Sequence, residues 1–335
     1  MLNLPERITV SEVGPRDGLQ SLDKWIETDT KVAMVDRLSD AGFPVIEVTG
    51  FARASVIPNL KDAEEVCARI RRRPGTVYRA LVPNVRGTER ALESKLDELL
   101  GLITVSETYL RKNQNMSLEE AVQQGIECFR KADGAGVGFV MAIGVAMWCS
   151  YEGPIPQDKT VGLLRRFRDA GIRRFYLAGS MGMEDPRQVN AIFHRIGREL
   201  PDCEVGYHVH NLSGAGTANV LAALDGGAAF IEGSICGIGG GIAMPTSVAS
   251  VGNLPTEDLV VLLESMDIRT GIDPQEAVAA SRDIAAMLGI EPRSHAAQVG
   301  TRTEMLEQGR SHPRNHPVWK PQGSIPPLGG STMKE

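Results

Sequence analysis

Short apolar runs with strand character alternate with longer amphipathic stretches along most of the chain. The predicted strands cover residues 8–13, 44–49, 77–82, 102–106, 138–146, 174–178, 204–210 and 230–236. The predicted helices between them cover residues 28–41, 61–72, 118–132, 159–169, 186–199 and 215–224, and further helices follow at 255–265 and 274–288. One strand followed by one helix, repeated roughly eight times, is typical of a parallel sheet with helical crossovers.

This alternation favours a (β/α)8 TIM barrel, an α/β fold, over a doubly wound sheet. Eight units across about 250 residues is the usual size of such a barrel. A doubly wound sheet would be expected to carry a GxGxxG turn after its first strand, but the turn here reads GPRDGLQ at 14–20. We therefore expect a TIM-barrel domain over residues 1–290, including an extra C-terminal helix. The tail at 291–335 ends in a stretch rich in proline, glycine and histidine, and we expect a partly extended or disordered C-terminal extension.

The composition is that of an ordinary globular protein and narrows the classes of partner. The 36 Lys and Arg residues against 42 Asp and Glu residues give a formal net charge of −6, so no general attraction to nucleic acid or to an anionic membrane is expected. No apolar run approaches the ~20 residues of a membrane helix, and the first residues carry no targeting signal. The five cysteines lack CxxC spacing. We expect a cytoplasmic protein with a small-molecule substrate.

The strongest local feature is the segment YHVHN at residues 207–211, in the predicted seventh strand. Side chains alternate between the two faces of a strand, so His208 and His210 share one face and the apolar residues beside them take the other. The apolar face can pack against helices, which directs the histidines into the barrel at the end where TIM-barrel active sites lie. Two imidazoles about 7 Å apart along a strand can hold one metal ion, although two hydrogen-bonded interior histidines would give the same pattern.

Two acidic residues and an arginine occur near the same end of the predicted barrel. Asp17 follows the first strand, and a carboxylate with two imidazoles suits a divalent cation such as Mg²⁺ or Mn²⁺. Glu47 is a charge inside a strand that is buried on both faces, so it must be paired, and Arg16 is the nearest plausible partner. A structural ion pair and a catalytic role both remain open for Glu47.

A glycine-rich loop, GIGGGIAMP at residues 237–245, follows the eighth predicted strand. Its backbone could approach a phosphate or a thioester, or the loop could act as a lid. An ordinary flexible turn would have the same composition.

Seven segments match one known family, in order and with similar spacing, across about residues 8–290. They are VGPRDGLQ at 13–20, VIEVT at 45–49, VPN at 82–84, KN at 112–113, YEG at 151–153, HVH at 208–210 and GNLPTEDL at 252–259. The chain thereby resembles 3-hydroxy-3-methylglutaryl-CoA lyase, of the DRE-TIM metallolyase superfamily.

The resemblance implies a metal-dependent retro-Claisen cleavage of a 3-hydroxyacyl-CoA thioester. The implied metal ligands are Asp17, His208, His210 and Asn253, with Mg²⁺ or Mn²⁺ as the cation. As catalytic residues, Arg16 would stabilise the enolate oxygen of the departing acyl-CoA and Glu47 would orient Arg16. The expected substrate-binding residues are Gln20, Gly239, Gly240 and Gly241. The resemblance also implies a homodimer.

The residue after the second histidine is usually aspartate in the family and is Asn211 here, and two further departures concern proton transfer. The family has an aspartate after strand six, where this chain has Gly179, and a catalytic cysteine after strand eight, where it has Gly241. Candidate substitutes are Cys149, Glu152, Cys236 and a metal-bound water. Three hypotheses follow: a lyase for a hydroxyacyl-CoA with altered specificity, an aldolase or Claisen-type enzyme for a hydroxy or 2-oxo acid without CoA, and a non-catalytic metal and ligand binder.

Overall fold

Eight parallel strands close into a barrel, as the sequence predicts. The computed structural model describes residues 2–240 and 252–311. The barrel strands are β1 (Thr9–Glu12), β2 (Val45–Gly50), β3 (Val77–Leu81), β4 (Glu98–Thr104), β5 (Gly138–Gly144), β8 (Arg174–Gly179), β9 (Glu204–Val209) and β10 (Phe230–Gly233), and a short hairpin is formed by β6 (Trp148–Cys149) and β7 (Gly153–Pro154). The first strand pairs with both β2 and β10, which closes the sheet and confirms the TIM barrel.

Helices connect successive strands around the barrel, and the last four helices follow β10. They are α1 (Thr28–Asp40), α2 (Ala63–Arg69), α3 (Val85–Leu92), α4 (Glu107–Gln114), α5 (Leu118–Gly134), α6 (Gln157–Asp169), α7 (Pro186–Glu199), α8 (Gly216–Asp225), α9 (Thr256–Ser265), α10 (Pro274–Leu288), α11 (His295–Val299) and α12 (Arg302–Ser311). Short turns of helix also occur at Gly14–Gly18, Pro58–Leu60 and Ile235–Gly237. Within the described residues, no helix combines the length and the apolarity needed to cross a membrane.

The alternation along β9 positions the predicted histidines. Tyr207 faces outward, where its ring packs edge-on against Phe193 of α7 with centroids 5.9 Å apart. His208 faces inward and lies opposite Glu232 of β10 in the parallel register. The inner and outer faces predicted from the sequence are therefore confirmed for this strand.

Some element boundaries differ from the prediction. The fourth strand begins at Glu98 rather than at residue 102, because ion pairs to the buried Arg79 and to Arg174 accommodate the charge of Glu98. The eighth barrel strand ends at Gly233, since the chain turns into the short helix Ile235–Gly237. Helix α3 was not predicted, because it contains Gly87 and several charges; Asn84 caps it by accepting from the Gly87 N–H.

The described chain divides into one compact unit that ends at Thr301 and a second that begins at Arg302. The first unit includes α10, which is capped by Gly289 in the left-handed conformation, and the short α11. In the second unit, α12 has no buried residue. The remainder of the predicted C-terminal extension, residues 312–335, lies outside the described residues.

Candidate metal centre and reaction cavity

The barrel brings three predicted ligands together at the C-terminal ends of β1 and β9. One ligand atom from each of Asp17, His208 and His210 lies within 4.8 Å of the others. The Nε2 atoms of His208 and His210 are 3.2 Å apart, and His208 Nε2 is 4.0 Å from Asp17 Oδ2. All three side chains are buried.

The donor set fits a divalent cation. Metal–nitrogen bonds of about 2.1 Å that meet at about 100° place two imidazole nitrogens about 3.2 Å apart. Burial would raise the pKa of Asp17, but Arg16 and the two histidines lower it, so the carboxylate is ionised. Burial, with His208 and Arg16, lowers the pKa of His210 to about 4, which keeps its imidazole neutral. An ionised carboxylate and a neutral imidazole are the forms that bind metal.

Asn253, the fourth implied ligand, lies beside this cluster. Its Nδ2 donates to Asp17 Oδ2 at 2.7 Å and to the Ile238 carbonyl at 3.1 Å. Its Oδ1 is buried, and the described residues offer it no hydrogen-bond partner. A buried acceptor that is left over in this way agrees with a ligand role.

The glycine-rich loop approaches Asn253 closely. A Cβ added at Gly239 would lie 2.1 Å from Asn253 Nδ2, and the backbone there has φ +132°, so only glycine fits. Gly240 is also buried. Neither of these two glycines lines the cavity described below, and their proposed contact with substrate stays a prediction. Gly241 lies outside the described residues.

Arg16 is held rigidly next to Asp17 by the turn Gly14–Gly18. Its Nε donates to Glu47 Oε1, which is the pair expected from the sequence, and its Nη1 donates to Asp17 Oδ1 at 2.6 Å. Gln20 Nε2 donates to the same Asp17 oxygen at 2.7 Å. Burial would lower the pKa of Arg16, but Glu47 and Asp17 raise it above its usual range, so the guanidinium stays charged.

A second buried arginine connects this pair to the histidines, and the sequence analysis missed it. Arg79, 1% exposed inside the barrel, donates through Nη2 to Glu47 Oε2 at 3.2 Å and to Glu232 Oε1 at 2.5 Å. The other oxygen of Glu232 is 3.3 Å from His208 Nδ1. Burial would raise the pKa of Glu232, but Arg79 and His208 lower it, so this carboxylate is ionised beside the ring of a candidate ligand. Arg79 and Glu232, like Glu47, are charges inside barrel strands. The argument that such a buried charge must be paired would therefore have singled out both of them.

A cavity of about 430 Å³ opens beside the cluster. Its polar side is lined by Arg16, Asp17, Gln20, Tyr176, His208 and His210. Tyr176, also missed from the sequence, stacks on His208 with ring centroids 5.4 Å apart. Apolar side chains also line the cavity, among them Ile57, Leu81 and Leu102.

The cysteines considered as proton donors do not line this cavity. The Cys236 Sγ is buried 3.3 Å from Ser281 Oγ, and burial raises the pKa of its thiol far above the ordinary range. The Cys149 Sγ lies 3.1 Å from Ser106 Oγ, which in turn donates to Glu152 at 2.7 Å. Both thiols are therefore engaged in local contacts and are not exposed to the cavity as proton donors.

The fold and the site together define a class of protein, the (β/α)8-barrel enzymes with a candidate metal centre. The C-terminal mouth of this closed barrel carries a carboxylate, two imidazoles and a fixed guanidinium. The comparisons with known proteins narrow this class. The family model HMGL-like matches residues 7–284. Hydroxymethylglutaryl-CoA lyase YngG of Bacillus subtilis is 34% identical over 295 residues, which cover 88% of this chain and 98% of that protein.

Two further relatives agree. The mitochondrial hydroxymethylglutaryl-CoA lyase of Homo sapiens is 33% identical over 298 residues, 89% of this chain and 91% of that protein. The structure of an HMG-CoA lyase from Acinetobacter baumannii in complex with coenzyme A and 3-methylmalate has a TM-score of 0.83 at 32% identity, covering 93% of this chain and 98% of that chain. The chain therefore belongs to the HMGL-like family, and it is an enzyme of the carbon–carbon lyase type.

Proposed function

We propose that this lyase cleaves a 3-hydroxyacyl-CoA thioester in a retro-Claisen reaction that depends on Mg²⁺ or Mn²⁺. The observation that carries the proposal is the convergence of Asp17, His208 and His210 beside the fixed guanidinium of Arg16, at the mouth of a cavity. The relatives named as hydroxymethylglutaryl-CoA lyases, one of them in complex with coenzyme A, support the substrate class.

The residues that would hold the cation are Asp17, His208, His210 and Asn253. When bound there, a divalent cation acts as a Lewis acid that polarises the hydroxyl and carbonyl oxygens of a substrate. Glu232 Oε2 lies 3.3 Å from His208 Nδ1, and its negative charge there would favour the ring orientation that directs Nε2 toward the cation site.

The chain's own charges address the bond that breaks. In the proposed reaction the C2–C3 bond is cleaved, its electron pair passes to the thioester enolate, the C3 hydroxyl proton leaves to a base, and protonation of the enolate carbon completes the acyl-CoA product beside a carbonyl product. Arg16 places a permanent positive charge where the enolate oxygen becomes negative. Glu47 and Asp17 hold this guanidinium in place, so little reorganisation is needed during the reaction.

The apolar side chains of the cavity bear on the choice of acyl group. Ile57, Leu81 and Leu102 offer no charged partner, so a hydrocarbon substituent on C3 of the substrate can pack there. We propose that these apolar side chains, together with Tyr176, which packs in one cluster with Leu81 and Leu102, set a specificity of this chain's own within the family.

The test is turnover by protein that has been stripped with a chelator and reloaded with Mn²⁺ or Mg²⁺. The panel contains 3-hydroxyacyl-CoA thioesters with methyl and longer C3 substituents, together with the corresponding free hydroxy and 2-oxo acids. We expect cation-dependent release of an acyl-CoA from at least one thioester. Cleavage of the free acids alone would establish an aldolase or Claisen-type enzyme instead. Metal and ligand binding without any cleavage would establish a non-catalytic binder.

A further inference from the structure

A carboxylate from the turn after β8 fills the space that a side chain on Gly179 would need. A Cβ added at Gly179 would lie 1.8 Å from Glu184 Oε1 and 3.0 Å from Tyr207 Oη. The backbone at Gly179 is not in the left-handed region, so its conformation accepts any residue. Only glycine fits at position 179, because the carboxyl of Glu184 occupies the volume that a side chain there would need.

Glu184 is held in this position by specific contacts. It is 1% exposed, and its Oε1 accepts a 2.7 Å hydrogen bond from Tyr207 Oη. Its carbonyl accepts from Asn219 Nδ2 at 2.9 Å, and the next residue, Asp185, caps α7. Its Oε2 is buried without a hydrogen-bond partner among the described residues. Burial raises the pKa of this carboxyl.

Two connections lead from Glu184 to the candidate metal ligands. Tyr207, its hydrogen-bond partner, directly precedes His208 on β9. The turn that carries Glu184 also packs on the chain just after His210: a Cβ at Gly182 would lie 2.9 Å from the His210 carbonyl, and Ser213 N donates to the Gly182 carbonyl at 3.0 Å.

We propose that Glu184 is a positioning residue for the metal centre, whose carboxyl stands in for a side chain at the end of β8. Through Tyr207 and the packing of Gly182, it fixes the backbone that presents His208 and His210. The inference rests on the proposed function only in assuming that these histidines bind a cation. It assigns a role to a buried acid that does not line the cavity.

The experiment moves the carboxylate back to the strand. Five variants are compared with the full-length wild-type protein: Glu184→Gly, Glu184→Gln, Gly179→Asp, the double variant that combines Glu184→Gly with Gly179→Asp, and Gly162→Asp as a control at a helical glycine with open space around it. The readouts are the melting temperature of the metal-free protein, the Mn²⁺ affinity by calorimetry, and kcat and KM.

We expect Glu184→Gly to fold and to bind Mn²⁺ about tenfold more weakly, since loss of a group that orients a ligand costs about 10- to 100-fold in affinity. Gly179→Asp alone should melt lower, because its Cβ collides with Glu184 Oε1. The double variant should regain the melting temperature and most of the Mn²⁺ affinity, and Gly162→Asp should match the wild type in both. The conservative change Glu184→Gln keeps an acceptor for Tyr207. Its Mn²⁺ affinity should therefore fall by no more than half as much as that of Glu184→Gly.

Two results would overturn the inference. In the first, Glu184→Gly binds Mn²⁺ as tightly as the wild type. In the second, the double variant regains its melting temperature while its Mn²⁺ affinity stays at the level of Glu184→Gly, which would show that the carboxyl of Glu184 does not stand in for a side chain at the end of β8. A wild-type protein that binds Mn²⁺ but cleaves no thioester would refute the proposed function and leave this comparison decisive. A wild-type protein that binds no Mn²⁺ would refute both.

Discussion

Glu257, at the start of α9, gives the sharpest quantitative prediction for the stability of this protein. The side chain is fully buried, accepts from the Cys236 N–H at 3.1 Å and from Ser281 Oγ at 2.5 Å, and so connects α9 and α10 to the turn after β10. Burial raises the pKa of Glu257 from 4.5 to about 8, although the Ser281 hydrogen bond lowers it. The carboxyl is therefore protonated in the folded protein at neutral pH.

The sign of the pH dependence follows from this raised pKa. The unfolded chain loses the proton near pH 4.5, whereas the folded protein keeps it until about pH 8. The folded state thus binds one more proton in this window, and its extra stability is complete below pH 4.5 and is lost as the pH rises to about 8. The slope is about 1.4 kcal/mol per pH unit, and the whole window is worth about 5 kcal/mol.

The substitution Glu257→Gln removes the titration and keeps an acceptor for the Cys236 N–H. We expect the free energy of unfolding of the wild type, relative to this variant, to fall by about 3 kcal/mol between about pH 5.5 and pH 7.5. Urea unfolding at constant ionic strength measures it. Glu276→Gln, at an exposed position of α10, is the control and should keep the wild-type slope. Parallel pH profiles for the wild type and Glu257→Gln would refute the assignment.

Three further predictions concern the metal centre. His210→Ala should abolish both Mn²⁺ binding, measured by calorimetry, and turnover, with little change in melting temperature. The control His194→Ala, at an exposed histidine, should change neither Mn²⁺ binding nor turnover. Cation-dependent turnover in His210→Ala would reject His210 as a ligand. Arg16→Lys keeps a positive charge but cannot bind Glu47 and Asp17 in the same geometry, so kcat should fall about 100-fold while Mn²⁺ still binds. A kcat near that of the wild type would contradict a role of Arg16 in enolate stabilisation. Glu232→Gln removes the anion beside His208 Nδ1 and should weaken Mn²⁺ binding about 10- to 100-fold; equal affinities in this variant and the wild type would show that the carboxylate does not orient the ring.

The parts of the fold that the sequence predicted are those with a short periodicity. Alternation along 204–210 predicted which residues of β9 face the barrel interior, because the two faces of a strand are set by the backbone alone. The position of Asp17 followed from the rule that the C-terminal ends of parallel strands meet at one mouth. Both predictions needed only the neighbours of a residue along the chain.

The features that were missed depend on contacts between distant segments. Arg79 and Glu232 are 153 positions apart, and nothing local in the sequence of either strand shows that they meet inside the barrel. The substitution of Glu184 for a side chain at Gly179 is hidden for another reason. It depends on a turn, in which no periodicity relates the direction of a side chain to its place in the sequence.

Closure of the barrel has a consequence for the biosynthesis of this enzyme. Asp17 and Asn253 are in contact although 236 positions separate them. Because β1 pairs with β10, the sheet cannot close before β10 has been made. A ribosome makes the polypeptide from its N-terminus, so Asp17, which Arg16 and Gln20 can contact at once, meets Asn253 only after almost the whole barrel has emerged. The candidate metal centre is thereby completed only late in translation, and a chain terminated before residue 253 lacks the contact between Asp17 and Asn253.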